Sequence, residues 1–442
     1  MPTPMEISLT PLKPAIRANG KGDLDILLRV KAPATPGATV ARTPLSLTLV
    51  IDRSGSMNGG RLVAAKACAA DLVKRLHSED EVSIVIYDTQ VDVLLPLMPA
   101  SQARDQIQRA LGSFEAGGST DLHQGWLVGA KQLAGRTGSN RLCRVILLSD
   151  GQANHGITDE DEICTQVRGL AQAGVSTTTV GLGEGFNESL MTAMAVAGQG
   201  NALYGERAED LAEPFDSEIG LLSHLAWREV RLLVGSATSR WKLRNDYAAV
   251  GEHLWSMPSI AEGAEAWAVF TAPMDSVARA QTRSRQGKAL HVTVTARDGE
   301  GRLHEVKASL PVLPEMDEAQ WNALPEDELV ARRVTEVRAA DLQDEARAAV
   351  QRGDWERAEA LLKQVEALAR DNEWLQGTVA QMKRLLKRRD RARFGKEVMY
   401  ASYSMKRRLT EVDEMAEFSE SRESVKAAYL RRKTEQGRKQ GF

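Results

Sequence analysis

Two segments of the chain alternate apolar and polar residues in the manner of half-buried strands. Residues 1–44 hold short stretches such as LDILLRVKAP, broken by Pro and Gly. Residues 223–314 return to the same period of two, with DGEG as a predicted hairpin turn. Such alternation is typical of β-strands with one buried face. We therefore predict that the two segments pair as a β-sandwich, with the residues between them inserted as another domain.

Residues 45–222 follow a different pattern, in which strands that are apolar throughout are each followed by an amphipathic helical stretch. The predicted strands include LSLTLVID, DEVSIVIYD, CRVILLSD and STTTVGLG. Strands without alternation are buried on both faces, and their alternation with helices is typical of a parallel sheet with helices on both sides. The pattern predicts an α/β domain with a doubly wound, mainly parallel sheet.

Residues 315–442 are charged and have helical periodicity. Two helices are predicted to meet at Gly353 and Asp354, with Asp354 as the N-cap of the second. The basic stretches KRLLKRRDRARFGK and LRRKTEQGRKQ are interpreted as solvated helix faces. Three tryptophans are expected either to pack inside a small bundle or to form an exposed docking face: Trp321, Trp355 and Trp374.

Composition narrows the range of partners and compartments. The 442 residues carry 57 Lys and Arg against 60 Asp and Glu, and the net charge of −3 favours neither nucleic acid nor a membrane surface as partner. The N-terminal sequence lacks the pattern of a signal peptide, and no apolar run reaches the roughly 18 residues of a membrane span. The three cysteines lie far apart and are interpreted as buried thiols in a reducing compartment. We expect a cytoplasmic protein.

Polar side chains follow three of the predicted strands. Asp52, Ser54 and Ser56 come directly after the first apolar strand, Thr120 lies in the Gly-rich loop AGGSTDL, and Asp150 follows another apolar strand. The carboxyl ends of parallel strands share one edge of the sheet, so these side chains can meet. Hard oxygen ligands suit Mg²⁺, with Mn²⁺ or Ca²⁺ as alternatives. For the first stretch alone, the competing interpretation is that Ser or Asp merely caps the following helix.

The three motifs LVIDRSGSM, GGSTDL and ILLSDG, in this order, resemble those of a von Willebrand factor type A (VWA) domain with a metal-ion-dependent adhesion site. The resemblance covers about residues 44–222 and implies a Rossmann-like fold. It implies that Asp52, Ser54 and Ser56 form the first metal-binding loop, Thr120 the second and Asp150 the third. Which of the two aspartates binds the metal directly and which through water stays open, and the neighbouring Ser119 is not assigned to the metal.

The outer regions resemble VWA proteins related to inter-alpha-trypsin inhibitor heavy chains and to plant RING-bearing VWA proteins. This chain has no cysteine-rich RING motif, so ubiquitin ligation does not carry over. By family analogy, an AAA+ ATPase or a multi-component stress or defence system is an expected partner. We expect a bacterial origin.

Charge suggests how such a metal would act. Two carboxylates formally neutralise a divalent ion. If one of them binds only through a water molecule, the ion stays electrophilic and keeps a coordination position for an outside ligand. An Asp or Glu of a partner protein would fill that position, as the family resemblance also implies. The predicted function is an adaptor or assembly factor without catalysis of its own, and the helical tail provides a second interface for self-association. The predicted rim of the site consists of Arg53, Met57, Asn58, His123, Asn154 and His155.

Two other functions are consistent with the sequence. A metal-dependent hydrolase or phosphatase could use His123 or His155 as a base, although an aspartyl nucleophile would normally want a second Asp where Ser54 stands. A scaffold acting through the helical tail would leave the metal site idle. Nucleotide binding is not expected, because TVGLGEGF misses the third glycine of the dinucleotide pattern and no GxxxxGK[ST] occurs.

Overall fold

The computed structural model describes residues 5–33, 42–137, 140–150, 152–183, 186–205, 215, 218–236, 240–283, 289–370, 372–407 and 409–411. The side chain of Trp374, Gly185 of the glycine-rich stretch and the predicted tail beyond residue 411 lie outside this description. The chain forms two compact units. One contains the described parts of residues 1–40, 225–391 and 401–411, and the other contains those of residues 41–224 together with residues 392–400.

The N-terminal segment provides three strands to the first unit: β1 (Glu6–Pro11), β2 (Ile16–Arg17) and β3 (Asp23–Lys31). Strands β1 and β3 pair in antiparallel register, with Leu9 opposite Leu28. Five successive residues of β3, from Leu24 to Leu28, are buried, so this strand lies in the interior of its sheet.

The second unit is an α/β domain around a six-stranded sheet. Its strands are β4 (Leu45–Asp52), β5 (Glu81–Tyr87), β6 (Val91–Pro99), β7 (Leu142–Ser149), β8 (Val175–Leu182) and β9 (Gln199–Gly205). Its helices are α1 (Gly60–Arg75), α2 (Ala100–Gly112), α3 (Leu122–Leu133), α4 (Glu160–Gln172) and α5 (Glu188–Ala197). The strand order is β6-β5-β4-β7-β8-β9, and only the β5–β6 pair is antiparallel. The predicted doubly wound, mainly parallel sheet is confirmed.

Burial explains why the central strands are apolar throughout. All eight residues of β4 are buried, since β5 and β7 flank the strand and helices cover the sheet. Helix α3 approaches the sheet closely through two glycines. A Cβ on Gly129 would lie 2.3 Å from Val50 Cγ2, and one on Gly125 would lie 2.4 Å from Tyr87 Cγ. The sheet and α3 therefore hold the end of β4, where the candidate site begins, in a rigid frame.

The strands after the α/β domain join those before it. The elements are β10 (Leu225–Ser236), β11 (Lys242–Leu243), β12 (Ala248–Gly251), β13 (Leu254–Ser256), β14 (Ile260–Ala261), β15 (Ala264–Pro273), α6 (Met274–Arg283), β16 (Leu290–Arg297), β17 (Leu303–Ser309) and β18 (Glu315–Met316). Strand β3 pairs with β15 as well as with β1, so residues on both sides of the inserted domain share one antiparallel sheet. A second antiparallel sheet has the order β12-β13-β10-β16-β17.

The predicted DGEG turn connects β16 and β17. Its first residue, Asp298, accepts hydrogen bonds from the backbone N–H groups of Glu300 (2.9 Å) and Arg302 (3.0 Å) and from His304 Nε2 (2.8 Å). Burial by itself would raise the pKa of Asp298, but the hydrogen bonds from His304, from Arg302 Nε (2.8 Å) and from the two backbone N–H groups outweigh it and lower the pKa to about 2. Gly301 has a φ of 81°, which favours glycine.

The C-terminal region is helical, as predicted. Its elements are α7 (Glu318–Ala323), α8 (Glu328–Gln351), α9 (Trp355–Leu368), α10 (Glu373–Arg388), α11 (Arg391–Arg407) and the short strand β19 (Thr410–Glu411). Asp354 caps α9 by accepting a hydrogen bond from Arg357 N at 3.0 Å, which confirms the predicted helix boundary. Helix α8 packs on the β3–β15 sheet through a cluster formed by Leu27, Trp267, Val269, Val330, Val334 and Val337.

Part of α11 belongs to the α/β unit. Residues 392–400 pack there, where Tyr204 donates a hydrogen bond to Glu397 and the rings of Tyr204 and Tyr400 lie 4.8 Å apart. The sequence assigned this segment to the helical region alone. Among the described residues, no helix is both long and apolar enough to cross a bilayer.

Candidate metal centre

The first loop of the candidate site follows directly from the end of β4. Asp52 ends the strand, a 3-10 turn spans Gly55–Met57, and α1 begins at Gly60. Asp52 Oδ1 accepts a hydrogen bond from Ser54 N at 2.8 Å, and the Oγ atoms of Ser54 and Ser56 lie 3.1 Å apart. The chain thus turns back around the carboxylate of Asp52 and brings two hydroxyl groups side by side.

The carboxylate of Asp52 is fully buried and is held by two further donors. Ser149 Oγ donates to its Oδ2 at 2.6 Å, and the hydroxyl of Tyr87 donates to the same atom at 3.3 Å. Burial raises the pKa of Asp52 from 3.8 to about 6, against the opposing effect of the hydrogen bonds from Ser149 and Ser54. Burial, and next the charge of Asp52, also raise the pKa of Tyr87, so its phenol stays a donor.

The second loop is joined to the first by backbone hydrogen bonds. Gly55 N donates to Gly118 O at 3.1 Å, and Gly117 N donates to Arg53 O at 2.8 Å. Gly118 has a φ of +74°, and a Cβ there would lie 2.9 Å from Thr89 Oγ1, so this turn requires glycine. The Gly-rich sequence before Thr120 therefore serves to let two loops approach each other.

The third loop is joined to the second around Thr120. Thr120 N donates to Asn154 Oδ1 at 2.8 Å, while Thr120 O accepts hydrogen bonds from Asn154 N at 3.1 Å and His155 N at 3.2 Å. Asp150 stands where β7 ends, next to Ser149, and is fully buried. Its Oδ2 lies 3.4 Å from Nη1 of Arg61. Its Oδ1 has no hydrogen-bond partner among the residues that the structure describes.

The donors at this edge of the sheet fit a hard divalent cation. Across the described residues, no three side chains of His, Cys, Asp or Glu form a cluster that could hold a metal. The candidate set has two carboxylates and three hydroxyls instead, which is the oxygen chemistry that Mg²⁺ prefers. A buried carboxylate oxygen without a partner is costly unless something pairs with it, and Asp150 Oδ1 meets that description. The residues therefore fit the implied metal.

Four of the six predicted rim residues lie at the surface of the loops or near it. Asn58, Asn154 and His155 are exposed, and Nδ1 of His155 lies 3.2 Å from Asp121 Oδ2. Arg53 is half-buried and forms salt bridges with Asp88 at 3.1 Å and Asp92 at 3.0 Å.

The other two predicted rim residues do not lie on this surface. Met57 is fully buried, because the 3-10 turn directs its side chain inward. His123 is 4% exposed, since it lies in the first turn of α3, on the side that packs in the interior near Trp126, where its Nε2 is 2.9 Å from Gln166 Oε1. The prediction of an exposed rim position is wrong for both residues.

Sequence reasoning missed three residues that contact the candidate ligands: Ser149, Tyr87 and Arg61. Ser149 and Tyr87 end strands β7 and β5, at the same sheet edge as Asp52. A polar residue at the end of a largely apolar strand was an available indication for both. For Arg61 the sequence offered only its place directly after Gly59 and Gly60, where α1 begins.

Comparison with known proteins agrees with the α/β fold of this domain. The family model for the von Willebrand factor type A domain matches residues 47–152. An uncharacterized protein of Synechocystis sp. is 27% identical over 208 residues, which cover 47% of this chain and 48% of that protein. Inter-alpha-trypsin inhibitor heavy chain H1 of Sus scrofa is 27% identical over 179 residues, which cover 39% of this chain and 19% of that protein. A solved structure, von Willebrand factor type A from Catenulispora acidiphila, covers 92% of this chain and 97% of that chain, with a TM-score of 0.66 and 17% identity.

The fold, the three joined loops and these matches define a class: the chain contains a von Willebrand factor type A domain. This part of the predicted resemblance is confirmed. The chain matches less than half of the length of either curated relative, and the likeness to the Catenulispora structure concerns the fold alone. The resemblance of the outer regions to inter-alpha-trypsin inhibitor heavy chains stays a prediction.

Proposed function

We propose that this protein is a metal-dependent protein-interaction module, an adaptor or assembly factor that presents Mg²⁺ to an acidic residue of a partner protein. Five side chains would hold the ion: Asp52, Ser54, Ser56, Thr120 and Asp150. When bound, the ion would supply a Lewis-acidic position for a carboxylate oxygen from outside. This chain's own residues position the ligands, exclude water from one side and leave the other side open.

The strongest support for the proposal comes from the carboxylate of Asp150. Asp150 Oδ1 is buried and lacks a hydrogen-bond partner among the described residues, at the edge where three loops are fastened together by backbone hydrogen bonds. The hydrogen bonds on both oxygens of Asp52 support a division of roles. Asp52 would orient the loop and act through water, and Asp150 would bind the ion directly.

The surroundings favour binding of a partner over catalysis. Ser56 and Asn58 are exposed, so the outer side of the site is within reach of a protein surface. The two histidines that a hydrolase could use as bases are engaged elsewhere, His123 with Gln166 and His155 with Asp121. A cytoplasmic location, a bacterial origin and an AAA+ ATPase or a stress or defence component as partner stay predictions from the sequence.

Removal of one ligand tests the proposal. Asp150→Ala should weaken Mg²⁺ binding, measured by isothermal titration calorimetry, by about a hundredfold or more, because removing a group that only hydrogen-bonds a metal ligand already costs about 10–100-fold. Metal should raise the melting temperature of the wild type and not that of the variant. Asp71→Ala is the matched control, since Asp71 is an exposed carboxylate on α1 that pairs with Lys74. It should bind Mg²⁺ like the wild type.

The partner arm of the test uses affinity capture from the native cells with Mg²⁺ or with EDTA, read by mass spectrometry. A protein captured by the wild type in Mg²⁺, and lost both with EDTA and with Asp150→Ala, supports the module. Partners that bind equally well in all conditions would point to a scaffold that acts through the helical tail. Metal-dependent turnover of phosphoester or peptide substrates would replace the proposal with a hydrolase.

A further inference from the structure

Arg61 is a cation inside the candidate metal centre. Its Nη1 donates to Ser56 O at 2.9 Å and lies 3.4 Å from Asp150 Oδ2. A Cβ on Gly183 would lie 2.5 Å from Arg61 Nε, and Gly183 has a φ of +75°, so this glycine makes room for the guanidinium. The side chain of Arg61 bridges the first and third loops and is 33% exposed.

The position of Arg61 in its own helix is electrostatically unfavourable. Arg61 is the second residue of α1, and the N-terminus of a helix carries a partial positive charge that disfavours cations. The first turn of α1 contains no acidic residue to offset it. The nearby group that compensates is Asp150, whose buried carboxylate needs an opposite charge in turn. Arg61 and a bound divalent ion would therefore face the same carboxylate.

We propose that Arg61 is the exchangeable counter-cation of the metal centre: it neutralises Asp150 in the metal-free protein, gives up that carboxylate when a divalent ion binds, and then attracts the partner's acidic residue. The inference rests on the proposed function and names a regulator of the same site. With Asp52 and Asp150 ionised and Arg61 present, the site carries a formal net charge of −1. A divalent ion brings this charge to +1, which one incoming carboxylate cancels.

Two opposite effects on binding distinguish this role from simple structural support. Arg61→Gln removes the like charge beside the ion, so Mg²⁺ should bind about fivefold tighter or more at low ionic strength. The same variant should bind a carboxylate more weakly, because the loaded site is then neutral. Glutarate is the probe for this arm: it displaces water from protein-bound Mn²⁺, which lowers the enhancement of water proton relaxation. Half-displacement should need about fivefold more glutarate in Arg61→Gln than in the wild type.

Stability provides a third measurement. In EDTA, Arg61→Gln should melt at a lower temperature than the wild type, because Asp150 loses its counter-charge, and saturating Mg²⁺ should remove most of that difference. Arg61→Lys, which keeps the charge, should bind Mg²⁺ within about twofold of the wild type. Lys74→Gln removes one charge from the last turn of the same helix, roughly 20 Å away along its axis, and should change none of these measurements.

The outcomes separate this inference from the proposed function. Unchanged or weaker Mg²⁺ binding by Arg61→Gln, with wild-type binding intact, overturns the role of Arg61 and leaves the metal module standing. Tighter Mg²⁺ binding without any loss of glutarate affinity overturns the attraction of the partner's acid. Absence of Mg²⁺ and Mn²⁺ binding in the wild type overturns both proposals.

Discussion

The carboxylate of Asp52 depends on residues outside the set of five proposed metal ligands. Ser149 Oγ and the Tyr87 hydroxyl both donate to Asp52 Oδ2, at 2.6 Å and 3.3 Å. Since Ser54 N donates to Oδ1, the side chain of Asp52 has donors on both oxygens and a fixed orientation. Neighbours that hydrogen-bond a carboxylate in this way influence its affinity for a metal ion.

Ser149→Ala tests this support at the scale of one residue. Loss of the hydroxyl should weaken Mg²⁺ binding by about tenfold, because Asp52 loses its shortest hydrogen bond and is held less firmly. Calorimetric titration with Mg²⁺ measures the effect. Ser83→Ala is the matched control: Ser83 is a buried strand hydroxyl that donates to Leu95 O, remote from the three loops. Equal loss of metal affinity in both variants would show a general effect of removing buried hydroxyls.

The sequence was a better guide to which loops lie next to each other than to the direction in which each side chain points. Asp52 and Asp150 could be named because a polar residue after an apolar strand lies at the sheet edge. Met57 and His123 were placed at the surface wrongly. Whether a side chain in a short turn or at the start of a helix points inward depends on where that element begins, and a shift of one residue reverses the direction. The metal-binding roles of the five candidates stay a prediction.

Helix α3 shows how one element constrains the site. It begins at Leu122, two residues after Thr120, with Asp121 as N-cap accepting from Gln124 N at 3.1 Å. Gly129 then allows the helix to touch Val50 of the central strand. The position of Thr120 is therefore coupled to how closely α3 packs on the sheet.

Alanine at Gly129 tests this packing. The added Cβ would clash with Val50 at 2.3 Å, so Gly129→Ala should destabilise the protein by about 1–3 kcal/mol even though alanine favours helices. Gly169→Ala is the matched control in helix α4, where a Cβ would meet nothing within 4 Å. That variant should be more stable by about 0.5–1 kcal/mol. Urea-unfolding midpoints measure both, and a stabilised Gly129→Ala would contradict the close approach.

The elements that the sequence missed have physical reasons. Strand β6 reads VDVLLPLMP, and its two prolines conceal it, although proline is acceptable in a strand at the sheet edge. Strand β9 reads QGNALYG and has no β-branched residue. It is a strand because it pairs with β8 and is buried there, and its own sequence does not favour that conformation. The parallel strands with strong apolar runs and the capped helices were predicted correctly, because their patterns are local.

At the scale of the whole molecule, the domain arrangement could be predicted only where two segments share the same pattern of apolar and polar residues. Like patterning predicted that strands before and after the α/β domain would pair, and β3 and β15 are antiparallel neighbours in one sheet. No local pattern marks residues 392–400 as part of the α/β unit, because that assignment depends on contacts with Tyr204, almost 200 positions away. Long-range contacts of a charged amphipathic helix cannot be deduced from its period alone.

The proposed function depends on a divalent ion held by side chains from three loops. The most direct measurement is anomalous X-ray diffraction from crystals soaked in Mn²⁺, which locates the ion without assumptions about function. We predict one strong anomalous peak bounded by Asp150, Ser54, Ser56 and Thr120, with a coordination position open to solvent or filled by a carboxylate from another molecule. Crystals that are saturated with Mn²⁺ and have no peak among these loops would contradict the proposed metal site.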